Sequence, residues 1–540
     1  MRWRCKLIFI FSQSIALAMR PSSMKMRSKV MMCEKKDLNL MLIVGRGTSP
    51  YGLTSPSPNP PWNEVVSSLL LRLKVFEPRI KGKIYFEDEK IEILNERYDA
   101  AVGFGLTQKR SEFTTKNTIM FLVDETSNEE VKKQVFCANY KVGNFLTEFI
   151  CDVMPWSEAA KGRRAVRQSF DLLRRHSAED SVFAILLALN AIVTKIPVAS
   201  SDINPSWDKG IARNIREFKK MADCCGSEIF NAITDPQTKK AIDLLTSVDL
   251  RDQVGSYRVI VSNETPQLEA FSLCILQQNN CFDCDAPILD RPIVEPIKMW
   301  RGQPLDNESD RQIFIGHLDV SAAAATNYQK EAFSWKICCG ANPAYDAFPM
   351  QHQIFYPTKK VDSKTLWYDP VFCVETLDGD LIWTKRHYRC VQQKIPGKYL
   401  LTTLDNGLVS KEHWTIVDAA DDLEWAIFSY SGAAQAAGQS YQGALLCTRD
   451  GRWPHSAIDP NSQNFQRIQS AFNQCGIQLF ELYGHGIPSH DVDRSFMWTP
   501  RFLEWAESNP PPLDRIGDIS ITSWRKQQRA LDAAASKQLA

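Results

Sequence analysis

Between residues 335 and 449 the chain carries eight strand-like segments in close succession: 335–340, 352–357, 370–377, 381–392, 397–405, 413–418, 423–431 and 440–449. Tight-turn sequences separate them, among them Asp378-Gly379, Pro396-Gly397, Asp405-Asn406-Gly407, Asp421-Asp422 and Gly432. Asx-Gly turns between aromatic and β-branched runs favour sequential hairpins. Short antiparallel strands joined in order predict an up-and-down barrel with room inside for one small ligand, although an antiparallel sandwich suits the same pattern. A polar, periodic helix is expected over 462–474, ending at Gly476. The segment "LEWAIFSYSG" is apolar on both alternating faces, with Leu423, Trp425 and Ile427 on one and Ala426, Phe428 and Tyr430 on the other. A strand with one face in water alternates cleanly. This one predicts an apolar lumen and an outer face covered by a helix or by a second copy of the chain, as in a homodimer.

The remainder is less constrained. A chain of 540 residues has room for roughly two to four domains. Its composition, 44% hydrophobic and 24% charged, suits buried cores, and its net charge of +1 gives no pull toward nucleic acid. No apolar run is long enough to predict a membrane span. At the start, Arg2, Arg4 and Lys6 precede the apolar-leaning "LIFIFSQSIALA", and a basic, acid-free stretch continues to Glu34. Together these read as a two-part targeting leader for a plastid reached through the secretory route, expected to be disordered over 1–53. The Pro-rich "TSPSPNPPWN" (54–63) is read as a domain boundary. Residues 64–262 read as a mixed α/β to helical domain, with strands in "GKIYFEDEKIEIL" and "NTIMFLVDE" and helices in the 165–193 region. A Cys-containing connector (263–330), the barrel (331–485) and a tail (486–540) complete an α+β chain.

Chemistry-bearing residues are sparse. No P-loop, dinucleotide fingerprint, zincin motif or nucleophile elbow occurs. Of fifteen cysteines, Cys274, Cys281 and Cys284 form the one cluster. It lacks a second CxxC and neighbouring histidines, so no metal is expected, and one local disulfide is open to it. Two carboxylates stand out. Asp346 lies between Tyr345 and Phe348 in the first inter-strand loop, and Glu412 precedes His413-Trp414 on the sixth segment. A carboxyl group in an apolar mouth holds its proton to higher pH and can deliver it. Alternation puts Gln351 and Gln353 on one face and His352 on the other. Tyr430 is placed near a barrel mouth, where its hydroxyl would reach a ligand oxygen.

The stretches "SWKICCGANPAYDAFPMQHQIFY", "LWYDPVFCVETLDG", "KRHYRC", "LDNGLVSKEHWTIVD" and "YSGAAQAAGQSYQGALL" resemble, in order, the violaxanthin de-epoxidase family, and most closely its de-epoxidase-related group of plants and algae. The resemblance implies a lipocalin barrel, with Trp335 at the barrel-closing position. It also implies a xanthophyll such as violaxanthin as substrate, ascorbate as reductant, no metal, and the thylakoid lumen or membrane surface as the working place. It makes Asp346 and Glu412 the acid/base pair, Glu412 standing where the family has an aspartate. Tyr345, Phe348, Gln351, Gln353, Trp414 and Tyr430 would line the substrate. The family's second aspartate and histidine are replaced by Pro349 and Gln353, and a later tyrosine by Cys447. Ala232, Thr238, Leu244 and Val248 stand where the family has cysteines, leaving Cys274 and Cys281 as the expected bridge.

Overall fold

The computed structural model describes residues 37–47, 61–76, 80–89, 98–106, 119–123, 215–245, 253–318, 333–341, 348, 351–357, 364–479, 482–484 and 500–511, apart from single positions within these spans. Two sheets organise it. The first comprises β1 (Leu38–Val44), β2 (Ile80–Phe86), β3 (Ala100–Phe104) and β4 (Ile119–Val123), with helix α1 (Trp62–Phe76) between β1 and β2. Every pairing is parallel and the order is β2-β1-β3-β4. Central β1 is buried from Leu40 to Val44, which is why "LNLMLIV" reads as a nearly unbroken apolar run. Gly82 lets α1 lie close on β2, since a Cβ there would fall 2.2 Å from Leu70 Cδ1. Two expectations change here. Residues 38–44, read as part of a disordered leader, are the middle strand of a sheet. The Pro-rich 54–63 stretch joins β1 to α1 inside one βαβ unit, so it does not separate domains. The helices read in the 165–193 region lie outside the described residues.

A helical layer follows: α2 (Ile215–Thr234), α3 (Pro236–Leu245), α4 (Gln253–Ser262) and α5 (Pro266–Ser272), the last continuing as a π-helical turn over Leu273–Gln278. Thr265 caps α5, its hydroxyl accepting from Leu268 N at 3.0 Å, and Pro266 fits the first turn, where no donor is needed. α2 and the π turn are joined by a disulfide between Cys225 and Cys274, with Cα atoms 5.9 Å apart. The bridge expected between Cys274 and Cys281 is therefore not formed. Cys274 faces the packed surface of α2, while Cys281, beyond the π turn, keeps a buried thiol in the same apolar cluster.

The second sheet closes on itself. After a small hairpin, β5 (Met299–Trp300) with β6 (Gln303–Pro304), and helix α6 (Ser309–Ile315), come nine strands: β7 (Trp335–Gly340), β8 (His352–Pro357), β9 (Thr365–Glu375), β10 (Leu381–Lys385), β11 (Tyr388–Gln392), β12 (Lys398–Asp405), β13 (Leu408–Ala419), β14 (Trp425–Ala434) and β15 (Gln439–Thr448). All except β10 form an antiparallel ring, which β15 closes on β7. The single segment expected over 381–392 is two strands. β9 outruns its neighbours, and its far half, Val371–Glu375, pairs with β10 as a hairpin beyond the ring, while its near half pairs with β11. Helix α7 (Gln463–Gln474) trails the barrel, capped by Ser462, and packs Phe465, Ile468 and Phe472 on Trp425 and Ile427. The outer face of "LEWAIFSYSG" is thus covered by a helix. A short strand β16 (Tyr483–Gly484) adds to β7, and α8 (Pro500–Ser508) sets Trp505 against Trp383 of β10.

The ends of the barrel differ. At one end α6 pushes Phe314 among Phe355, Tyr399 and Phe428, at ring separations of 5.0, 4.5 and 4.9 Å. Trp335 completes this closure, its indole donating to Ile313 O at 2.9 Å. Gly316, at φ 57°, makes the approach feasible, since a Cβ there would sit 2.5 Å from the Trp335 ring. The other end is covered by the helical layer. Arg258 of α4 donates to Glu375 O and Thr376 O, Gln277 accepts from Val409 N, and the Gly407 turn abuts Leu273. No helix among the described residues is long and apolar enough to cross a membrane.

Candidate active site

β13 places Glu412, Trp414 and Ile416 on one face by alternation, and that face lines the lumen. Glu412 is 1% exposed. Its Oε1 accepts from Tyr441 at 2.8 Å and from Tyr388 at 3.3 Å, and its Oε2 accepts from the Trp414 indole at 2.7 Å. Burial pushes its pKa above the usual carboxylate range, and the hydrogen bonds and the nearby Arg386 offset that only in part. The result is a carboxyl group biased toward its protonated form inside an aromatic cage. The Cys390 thiol nearby is pushed well up by burial and then by Glu412, so it stays neutral.

Two glycines make the cage. Gly432 is paired directly opposite Glu412, where a Cβ would stand 2.6 Å from the Tyr441 ring and 2.7 Å from Glu412 Cγ. Gly443 is paired with Tyr430, whose hydroxyl would lie 2.5 Å from any Cβ there.

The residues singled out in the sequence distribute as follows. Gln351 and Gln353 are both buried and share the inward face, opposite His352. The Gln353 carbonyl accepts from Tyr368 OH, while its Nε2 is buried with no hydrogen-bond partner among the described residues. Gln351 Nε2 donates to Phe348 O at 2.9 Å. Phe348 packs with Tyr257 and Phe372 at the helix-covered end, 5.2 and 5.0 Å from their rings. Trp414 stacks on Tyr430 at 5.6 Å. Tyr430 is not a mouth residue: β14 runs on to Ala434, which leaves the ring deep in the lumen. Tyr345, Asp346 and Pro349 lie outside the described residues. Cys447 is a neutral lumenal thiol, its pKa raised well up by burial. His352 faces outward between Phe333 and Trp383, and burial, then Lys336, lowers its pKa to about 3.

Sequence reasoning missed Tyr388, Tyr441, Tyr368 and Arg386. The signal for one of them was present. Tyr388 and Cys390 recur at two-residue spacing within "KRHYRC", and alternation alone puts them on one face. Tyr441 was hidden because its approach to Glu412 depends on the β14–β15 register, set by pairs such as Gly432 with Tyr441.

Fold and site define a lipocalin-type barrel whose lumen holds a buried, hydrogen-bonded carboxyl group under a helical cap. Residues 217–479 match the family model described as the VDE lipocalin domain, which supports a place in the violaxanthin de-epoxidase family for that region. The matched span takes in the cap as well as the barrel, so residues 217–262, read as part of the preceding domain, go with the barrel. Among solved structures, the chain is similar to apocrustacyanin C1, from crystals grown in space and on earth by vapour diffusion, at 14% identity, covering 32% of this chain and 87% of that one with a TM-score of 0.20. That likeness is too partial to carry an inference about ligands. No curated protein matches the chain.

Proposed function

We propose that this protein is an acid-assisted, epoxide-modifying enzyme of the violaxanthin de-epoxidase type, acting on a xanthophyll epoxide such as violaxanthin in a plastid, at or near the thylakoid membrane. The observation that carries the reading is Glu412: a fully buried carboxyl group, biased toward protonation, set among Tyr388, Trp414, Tyr430 and Tyr441. A protonated carboxyl donates its proton to the epoxide oxygen as a C–O bond breaks. A second group, for which Asp346 is the candidate, removes a carbon-bound proton as the double bond forms. Isomerisation needs no more than this acid and base. Full de-epoxidation also needs two electrons, which ascorbate supplies, and the oxygen leaves as water. Activity rises as the pH falls, because the donor form of Glu412 gains population.

A second reading, a lipocalin that binds a carotenoid or another apolar ligand without converting it, draws on the ring-lined lumen, where Phe355 stacks on Tyr368 at 4.3 Å. One experiment divides them. The purified full chain is incubated with violaxanthin between roughly pH 5 and 7, with and without ascorbate, and pigments are separated by chromatography. New pigment that requires ascorbate marks a reductase, and new pigment without it marks an isomerase. Glu412→Gln abolishes either. Pigment that is bound but unchanged across the whole range sinks the enzymatic reading and leaves the binding one.

A further inference from the structure

β10 stands outside the ring and forms the outer edge of its sheet, with β9 as its neighbour. The ladder fixes which way its backbone faces. Thr376 N donates to Asp380 O at 2.8 Å and Arg386 N donates to Pro370 O at 3.2 Å, so the backbone bonds to β9 at Asp380, Ile382, Thr384 and Arg386. In an antiparallel ladder such pairs alternate with pairs that exchange no hydrogen bond. The N–H and C=O groups of Leu381 and Trp383 therefore point away from β9, and among the described residues nothing donates to them or accepts from them. Two walls flank this edge. On one face Tyr257 of α4 meets Thr384, hydroxyl to hydroxyl at 3.1 Å, and Ile382 joins Tyr257 and Phe372 in one apolar cluster. On the other, Trp383 meets Trp505 of α8 at 5.5 Å, and its indole donates to Asn509 O at 2.7 Å. The whole of β10 is in consequence half-buried, with its edge lying between the two helices.

We propose that the outer edge of β10 is a strand-addition site, which takes an extended peptide of another protein into the slot between α4 and α8. The outward groups of Leu381 and Trp383 supply the pairing, and the two walls supply apolar contacts for alternate side chains of the guest. A sheet edge is normally blunted by charge, proline or a bulge. From Leu381 to Thr384 this one carries no charge and no proline, and its register on β9 is unbroken. The two ends differ in charge. Asp378 and Asp380 are exposed where β10 begins, whereas Lys385 at its far end is turned to buried Asp369, 3.8 Å away. The neighbouring cation, Arg258, is engaged by Glu375 O and Thr376 O. A guest lying antiparallel to β10, the more stable pairing, therefore gains from a lysine or arginine at its C-terminal end, beside the two aspartates. A single extended chain suits the slot better than a second copy does, because a second β10 would arrive with its own α4 and α8 on its two faces. The proposal is independent of what the lumen converts.

The probe is a short fluorescent peptide of alternating threonine and valine closed by two lysines, added to the full chain. Anisotropy should report binding at about millimolar peptide or below, the strength of a few backbone hydrogen bonds. The same peptide N-methylated throughout keeps its apolar surface and charge but cannot pair, and should bind at least roughly tenfold more weakly. Amide exchange followed by NMR should slow at Leu381 and Trp383 when the peptide binds and hardly change at Ile382 and Thr384, which already bond to β9. Leu381→Pro removes an outward N–H while sparing the β9 ladder, and should weaken binding by roughly tenfold or more. Asp378→Lys/Asp380→Lys, at exposed side chains, guards against Leu381→Pro failing to fold, and should weaken binding by about threefold at low salt. Equal binding by the N-methylated peptide, protection spread evenly along β10, unchanged binding in these variants, or no binding in this range overturns the proposal. A chain that dimerises by light scattering and protects Leu381 and Trp383 without peptide overturns it too, in favour of a second copy at the same edge.

Discussion

Glu412 is one methylene longer than an aspartate, and the chain makes space for that length at Gly432. With no Cβ opposite, the Glu412 stem lies flat and Tyr441 reaches its carboxyl. Gly432→Ala should therefore push Tyr441 and Glu412 apart, at a cost of about 1–3 kcal/mol for overpacking. Thermal unfolding reads the stability loss, and the pigment assay should fall with it. Glu412 also leaves a signature in the dependence of stability on pH. Its folded pKa is raised, so the folded state holds a proton that the unfolded state has released. The stabilising contribution is fully present below the unfolded value of about 4.5 and is lost as pH rises through the folded value. Glu412→Gln keeps the shape of the neutral acid without the titration. Denaturant midpoints of wild type and variant should lie parallel at low pH and diverge as pH rises, with the variant the more stable. Parallel curves throughout would mean that Glu412 is not held protonated.

At the scale of elements, the strands were legible because each carries its own evidence: aromatic alternation and a tight turn at its end. The apolar outer face of β14 was legible for the same reason, since Trp425 and Ile427 made no sense in water. What escaped needed a partner to be seen. The break between β10 and β11 falls inside a continuous β-rich run, and only the excess length of β9 forces it. "LNLMLIV" resembles the end of a leader until its pairing with β2 and β3 shows it to be a central strand. Cys225 and Cys274 are 49 residues apart, so no local spacing reports their pairing. Asp346, one of the two acids the sequence singled out, lies outside the described residues, and the cage around Glu412, the other, depends on a strand register that no local pattern reports. Helix α6 also went unread, because seven residues carry too little periodicity. Its Phe314 is the stopper of the barrel. Phe314→Ala should cost about 3–5 kcal/mol. The cavity it leaves should bind a small apolar dye more tightly than wild type does, measured by fluorescence titration.

On the scale of the molecule, the cap and the barrel share one structure. The cap supplies Tyr257 to Phe348 and Phe372, and its Arg258 occupies carbonyls of the β9–β10 hairpin that the barrel alone would leave open. The barrel in turn receives the segment after Cys284, which runs along its wall: Ser440 donates to Pro287 O, Ser431 to Leu289 O at 2.6 Å, and Ile297 N to Ile416 O. The disulfide closes a loop of about 49 residues inside the cap, and chain entropy alone assigns such a closure about 4 kcal/mol. Reduction should therefore loosen α2 and α5 first and act on the barrel only through the contacts of α4. The check is hydrogen exchange on the full chain, comparing wild type with Cys225→Ser/Cys274→Ser. Amides of 215–278 should lose protection by a large factor, those of β9 and β10 by a small one, and those of β12 to β15 hardly at all. Equal loss everywhere would mean that cap and barrel unfold as a single unit. Loss confined to α2 would mean that the cap stays seated by Tyr257 and Arg258 without its bridge.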